Sequence, residues 1–409
     1  MKPGYLSQFF SGVAVKELRA VEADSARSHQ HEFNGVIDLK RVFGTERRTY
    51  QARFVYLSDN DEEPVVADGT LTWYDAREMH PTRSEHRMYF PTTPVTSCAA
   101  KDDLLVIGKR PNPDQPLLVI IAQGGSTIAN QVLWLFHVQL ASNYAFSVRE
   151  ELEAEQDRIE FTSRFILEQI GIPVETTEET YLDTMLARFG AAFPPTRQFS
   201  EYARSTIEGV DPVGAPDAAL MAWMEREEVL FRTLEKHILA DRLTQGFHDD
   251  IEGFLEFSKS VQNRRKSRVG FALENHVEVI LKSSRLRHAR SALTEGRSRP
   301  DFLFPGADQY RDFNFDSALL TMLGVKSTCK DRWRQVLAEA TRIPDKHLLT
   351  LETAISLNQT AEMRSQHLHL VVPKSLHGTY TEPQRVWLMD LTDFIALLRE
   401  RQRGAGLEE

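Results

Sequence analysis

Arg299-Pro300-Asp301-Phe302-Leu303-Phe304 and, 25 residues beyond its aspartate, Gly324-Val325-Lys326-Ser327 decide how the chain is read. In the first stretch an acid stands at the mouth of an apolar run of strand length; in the second a lysine sits within another such run. An acid and a lysine on neighbouring strands suit metal-assisted phosphodiester hydrolysis. The carboxylate holds a divalent cation against the charge developing on phosphate, and the ammonium orients or activates the attacking water. This is the outline of the two-strand PD-(D/E)xK pattern, except that Gly324 occupies the place of its second acid, two residues before the lysine. Glu339, thirteen residues after the lysine, is the candidate replacement. A helix over 332–341 capped by Asp331 would carry it about two turns along, and packing back on the sheet would bring it to the metal from the side. By themselves the same residues also read as a coincidental Pro-Asp and a distant lysine.

The composition fits such a protein without requiring it. With 409 residues, 41% of them hydrophobic and 26% charged, the chain is long enough for two or three domains with real cores. The longest apolar run, near 117–122, has a strand's length and not a membrane span's, and no apolar signal core follows Met1-Lys2-Pro3-Gly4. Two cysteines, Cys98 and Cys329, make neither a disulfide framework nor a four-ligand zinc site. The expectation is a cytoplasmic protein in a reducing compartment. The net charge of −10 is unevenly placed: 148–240 holds 19 acids and 9 bases, whereas 255–342 holds 17 bases and 10 acids. That basic stretch can face nucleic-acid phosphate, or it can be solvated helix faces paired with the acidic region.

Residues 1–150 read mainly as strands, at 53–56, 70–74, 104–107 and 117–122, with helices only at 14–22 and 131–140. An acidic helix over 150–170 begins a helical connector over 151–185. In 186–405 helices at 218–243, 251–261, 271–281 and 391–401 alternate with strands at 302–304, 323–327, 348–351 and 368–372. The expected fold class is α/β (α+β): a mainly β N-terminal domain, then a C-terminal domain with a mixed sheet flanked by helices.

Several blocks carry a resemblance that covers roughly 193–400. They are Gln262-Asn263-Arg264-Arg265-Lys266-Ser267-Arg268, Thr294-Glu295-Gly296 through Arg299-Pro300-Asp301-Phe302-Leu303-Phe304-Pro305, Val325-Lys326-Ser327-Thr328-Cys329-Lys330-Asp331-Arg332-Trp333-Arg334-Gln335, and Leu370-Val371-Val372-Pro373-Lys374-Ser375-Leu376-His377. In this order they resemble the catalytic domain of the EcoRII-type restriction endonucleases. The resemblance implies a restriction-endonuclease-like domain of PD-(D/E)xK type with a relocated acid, so that Gly324 becomes an expected feature. It implies Asp301, Lys326 and Glu339 as the catalytic site, Asp301 and Glu339 as ligands of Mg2+, Glu274 as an additional acid, and Tyr310 as a catalytic or supporting tyrosine. It also implies Lys330-Asp331-Arg332 as readers of the outer pairs of a CC…GG-type (CCWGG-like) site, where bases donate to guanine and an acid accepts from cytosine N4. Asp331 as a plain helix cap competes with that role. Arg264, Arg265, Lys266 and Arg268 would contact DNA phosphates or a dimer partner. Trp223 and Arg226 fall only loosely near the family's base-extruding helix.

The N-terminal domain shows no match to that family's N-terminal domain. Its segment 71–87 mixes aromatics with spaced arginines, making Trp73, Arg77, Arg83 and Arg87 candidates for binding DNA or another effector. Ser28-His29-Gln30-His31-Glu32-Phe33-Asn34-Gly35 is a second polar cluster without persuasive metal-ligand spacing. Nucleotide-loop, H-E-x-x-H and G-x-S-x-G signatures are absent from the sequence. The expected function is therefore a Mg2+-dependent type II restriction endonuclease. It would cut double-stranded DNA as a homodimer, without a membrane partner, beside a protective methyltransferase in the host, with the N-terminal domain as a regulatory DNA-binding module. Two rivals stay open: a DNA-binding defence sensor whose nuclease fold does not cleave, and a nicking or repair nuclease of the same fold.

Overall fold

Eight strands of the N-terminal part, β1 (Gly12–Glu17), β2 (Glu32–Phe33), β3 (Arg48–Leu57), β4 (Val65–Asp75), β5 (His86–Tyr89), β6 (Leu104–Lys109), β7 (Leu117–Ala122) and β8 (Ser147–Arg149), pair into one sheet. Their order is β2-β5-β4-β3-β7-β6-β1-β8, with β3 and β7 parallel and the other neighbours antiparallel. The structure, a computed structural model, describes residues 2–23, 31–33, 38–60, 64–80, 82–174, 178–329 and 332–407. The chain divides into two units, Met1–Val174 with Ala354–Asn358 and Glu175–Thr353 with Gln359–Glu409.

The unbroken apolar run of β7 follows from its central place, since a strand covered on both faces needs apolar residues at every position. Leu118, Ile120 and Ala122 enter one core, and Leu117, Val119 and Ile121 the other, as alternation across a strand requires. The helices Thr127–Phe136 and Phe161–Gln169 cover the first face through Ile128, Val132, Leu135, Ile166 and Leu167.

Two readings of this unit are corrected. The helix expected over 14–22 is instead strand β1, followed by the short helix Ala20–Ala23. Ala14, Lys16 and Glu17 favour helix, but Val13 and Val15 pair centrally with β6, and tertiary burial outweighs propensity. Lys16 is buried there because its ammonium bonds both oxygens of Glu22, at 2.6 and 2.8 Å. Of the helix expected over 150–170, only Phe161–Gln169 and the 3-10 turn Glu155–Asp157 are helical. Ile166, Leu167, Ile170, Ile172 and Val174, in the segment read as connector, pack into this unit's core.

In the second unit β9 (Ala289–Arg290), β10 (Phe302–Phe304), β11 (Thr321–Lys326), β12 (Lys346–Thr350) and β13 (Leu368–Val371) form a sheet in the order β13-β12-β11-β10-β9. It is mixed: β11, β12 and β13 are parallel, while β10 runs antiparallel to both β9 and β11. Helices flank it, among them Thr196–Ser205, Pro216–Gln245, Ile251–Ser283 and Leu391–Gly404. The architecture is α/β with a mainly β N-terminal region. The two helices expected at 251–261 and 271–281 are one continuous 33-residue helix. The intervening Gln262–Arg268 run is rich in Arg, Lys and Gln, which propagate a helix well.

Candidate active site

Asp301 directly precedes β10, and Lys326 ends β11. Phe302 pairs antiparallel with Leu323, which brings the acid and the lysine to the same end of the sheet. Asp301 Oδ2 accepts from Val325 N at 2.6 Å and from Lys326 Nζ at 2.9 Å, with the two side chains 15% and 23% exposed. Its backbone is fixed from the other side, where Ser291 N donates to Asp301 O at 3.0 Å. The lysine is thus held by the acid yet open to solvent and substrate.

Gly324 explains the displaced acid. A Cβ there would lie 2.9 and 3.1 Å from the two methyl carbons of Val336, on the helix Trp333–Leu337. The missing side chain is the gap into which Val336 packs, on the helix that leads into the turn bearing the replacement acid. Gly324→Asp, which puts the usual acid back, is therefore expected to lower stability by about 1–3 kcal/mol through overpacking. It should not restore activity to Glu339→Ala. Urea melts and cleavage assays of the single and double variants check this.

Glu339 itself is not two turns into a helix, as the sequence suggested. The helix ends at Leu337, Glu339 N donates to Val336 O at 3.2 Å, and Ala340 turns left-handed at φ 47°. A left-handed alanine stops the helix, so the acid arrives on a turn. Burial, and then the charge of Asp301, push the Glu339 carboxyl up to about 7, against the pull of Lys326 and Lys346. Its Oε2 is buried with no hydrogen-bond partner among the described residues. Such an oxygen beside a second carboxylate suits a cation.

Glu274, on the helix Ile251–Ser283, feels the same charges: burial and then Asp301 raise its carboxyl, while Arg290 and Lys326 lower it. Arg290 of β9 anchors it, donating at 2.9 Å to Glu274, 2.9 Å to Asn275 Oδ1 and 2.7 Å to Glu278. Burial raises Glu278, but the bonds from Lys282 and Arg290 and the nearby Arg197 outweigh it and hold the carboxyl at about 2.

Among the described residues, no three His, Cys, Asp or Glu side chains cluster as a metal site. The donor set here is two carboxylates, Asp301 and Glu339, with Glu274 coupled electrostatically to Asp301. That fits Mg2+, which commonly takes one or two carboxylates and fills its octahedron with water and phosphate oxygens.

Other expected residues fall elsewhere. Tyr310 is buried, and its hydroxyl donates to Glu295 Oε2 at 2.5 Å. Burial and that bond push the phenol up to about 12, which suits a supporting role and not proton transfer near neutral pH. Lys330 and Asp331 lie outside the described residues. Arg332 is exposed, and its N donates to Cys329 O at 2.8 Å. Cys329 N in turn donates to the Glu352 carboxylate, and burial raises the Cys329 thiol well above its ordinary value.

The basic run is not one surface. Arg268 is 5% exposed and ion-paired with Glu227 and Glu228, so it cannot contact phosphates. Arg265 bonds Glu235 at 2.6 Å, Arg264 lies 4.2 Å from the Phe193 ring centroid, and Lys266 is exposed. Trp223 is core, 5.7 Å from the buried His276 ring, and Arg226 bonds Thr206 and Glu178. In the first unit Trp73 is fully buried with its indole N–H on Gly44 O at 3.0 Å, which removes it from any binding face. Arg77 pairs with Glu85, and Arg87 with Glu85 and Glu32, whereas Arg83 is exposed.

Sequence reasoning missed Arg290 and Lys346, which touch site acids or their backbone without standing in any motif. Arg290 was visible only as one cation in a basic stretch.

The family model described as EcoRII C terminal matches residues 231–395. The type II restriction enzyme EcoRII of Escherichia coli is 44% identical over 207 residues, 50% of this chain and 50% of that protein. The chain thus matches about half the length of that curated relative. Among solved structures, metal-depleted Ecl18kI with uncleaved, modified DNA gives a TM-score of 0.45 at 16% identity, over 57% of this chain and 87% of that chain. A restriction endonuclease PspGI–substrate DNA complex gives 0.44 at 15%, over 52% and 94%. The match to the EcoRII C-terminal family model encloses Glu274, Asp301, Lys326 and Glu339.

Proposed function

We propose that the protein is a type II site-specific deoxyribonuclease that hydrolyses both strands of duplex DNA at a short CC…GG-type site. The observation that carries the reading is the Asp301–Lys326 pair at the ends of adjacent strands, coupled electrostatically to Glu339, whose buried Oε2 has no hydrogen-bond partner among the described residues. Asp301 and Glu339 would hold Mg2+, whose part is to neutralise charge developing on the scissile phosphate. Lys326, kept in place by Asp301, orients the attacking water through its ammonium. Glu274, clamped by Arg290, is coupled electrostatically to both Asp301 and Lys326. Lys330, Asp331 and Arg332 would read the outer base pairs. Two antiparallel strands need two active sites, which a two-fold homodimer supplies.

The N-terminal unit would bind a second DNA or another effector and regulate cutting. No helix among the described residues is long and apolar enough to cross a membrane, and we place the enzyme in the cytoplasm beside a protective methyltransferase. Digestion of unmethylated phage DNA with Mg2+, followed by end sequencing, tests the proposal. Discrete fragments with common CC…GG ends support it, while random nicking or no cleavage, even with added site-bearing duplexes, overturns it.

The basic run yields its own prediction. Lys266→Ala is expected to lower the salt slope of DNA binding by about 1 with the fold intact, if Lys266 meets a phosphate. Arg268→Ala is expected to cost about 3–5 kcal/mol of stability, because it leaves buried Glu227 to His276 and Glu228 to Arg232. Binding titrations across salt, with urea melts, separate the two.

A further inference from the structure

Once the acid has left the strand, something else must place it. The turn from Glu339 onward has a left-handed alanine and precedes β12. Lys346, the first residue of β12 and only 6% exposed, closes this turn. Its ammonium donates to the carbonyls of Glu339 at 2.6 Å, Ala340 at 3.1 Å and Ile343 at 2.9 Å. An ammonium has three protons, and all three are used on one five-residue stretch, so its burial leaves no donor unsatisfied. The lysine is itself fixed: its N donates to His367 O at 3.0 Å, and its strand runs parallel to β11, whose last residue is Lys326.

We propose that Lys346 is the positioning residue for Glu339: by gathering the carbonyls of Glu339, Ala340 and Ile343 onto the start of β12, it holds the Glu339 carboxylate at the Asp301–Lys326 pair. The inference rests on the nuclease reading above and deepens it. Carbonyls of a turn need partners, and water usually supplies them. Here a charged side chain anchored in the sheet does it, which turns a loose segment into a rigid support.

Lys346→Met keeps the stem and removes the ammonium. In the full-length protein, with rates normalised to the fraction that binds duplex without metal, the cleavage rate should fall about 10–100-fold and the half-saturating Mg2+ should rise by a similar factor. Mn2+ binding followed by electron paramagnetic resonance should weaken in parallel, while metal-free DNA affinity stays within about twofold. In a Glu339→Gln background the same substitution should add less than about threefold to either loss, because the group it positions is already gone. Wild-type rate and metal dependence in Lys346→Met, or losses that multiply fully in the Glu339→Gln background, overturn the inference. Should Lys346→Met not fold, Lys346→Arg decides. Its planar fork cannot meet three converging carbonyls, so weaker Mn2+ binding supports the inference and unchanged binding overturns it. Failure of the wild-type protein to cleave would sink the nuclease reading alone, since Mn2+ binding still tests the role of Lys346.

Discussion

Lys326→Met is expected to lower the rate of DNA cleavage about 10²–10⁴-fold, the range lost when a positioned proton-transfer or water-orienting group is removed. The ammonium lies 2.9 Å from Asp301 Oδ2 at the open end of two strands, and methionine keeps the stem while deleting only the charge and its protons. Unfolding would not explain such a loss. The pair is partly exposed, so its removal costs about 1 kcal/mol or less. Asp301 also keeps its 2.6 Å bond from Val325 N. DNA affinity without metal should change by less than about threefold, because the role proposed for the ammonium lies in the transition state. Single-turnover cleavage of a site-bearing duplex, beside a binding titration, checks both halves. A variant that still cuts within tenfold of wild type would remove Lys326 from the chemistry.

The same residue shows what could be read from the sequence and what could not. Asp301 and Lys326 were legible because each sits at the boundary of an apolar run of strand length, and the strand pairing that joins them is local. Glu339 could be counted but not placed: no spacing rule announces a left-handed Ala340, and the turn that carries the acid is tied by tertiary bonds to Lys346. Lys346 itself looked like any charge before a strand. Trp73 was misread because aromatics among arginines resemble a nucleic-acid face. Alternation along β4 sends Leu71 and Trp73 into the core and leaves Thr72 and Tyr74 partly exposed, a distinction that needs the sheet's faces to be known. Arg268 failed for the complementary reason. In a surface loop its charge would seek phosphate, but on a continuous helix it turns inward to two buried glutamates. β1 was taken for helix because Ala14, Lys16 and Glu17 favour one, whereas its burial against β6 and the Lys16–Glu22 pair come from tertiary contacts.

Glu339→Gln carries the other large effect and reverses sign between two measurements. A carboxyl raised from its ordinary 4.5 to about 7 holds its proton more tightly in the folded protein. Its stabilising contribution is therefore complete below about pH 4.5 and is lost as the pH rises through about 7. Without metal, Glu339→Gln should match wild type near pH 4 and exceed it by about 1–2 kcal/mol at pH 8, a discount on the full shift for the solvent that reaches the group. Activity should run the opposite way. Glutamine cannot hold the cation, so cleavage falls about 10²-fold or more at every pH. In the wild type, protons compete with the metal for Glu339, so Mg2+ affinity should rise about tenfold per unit up to pH 7 and then level off. Chemical melts at pH 4 and 8, with Mg2+ titrations from pH 5.5 to 8.5, test the pair of trends. A stability difference that ignores pH would mean that Glu339 is not the strained acid. A gain in metal-free stability coupled to lost cleavage would identify the cost of holding a carboxylate ready for a cation.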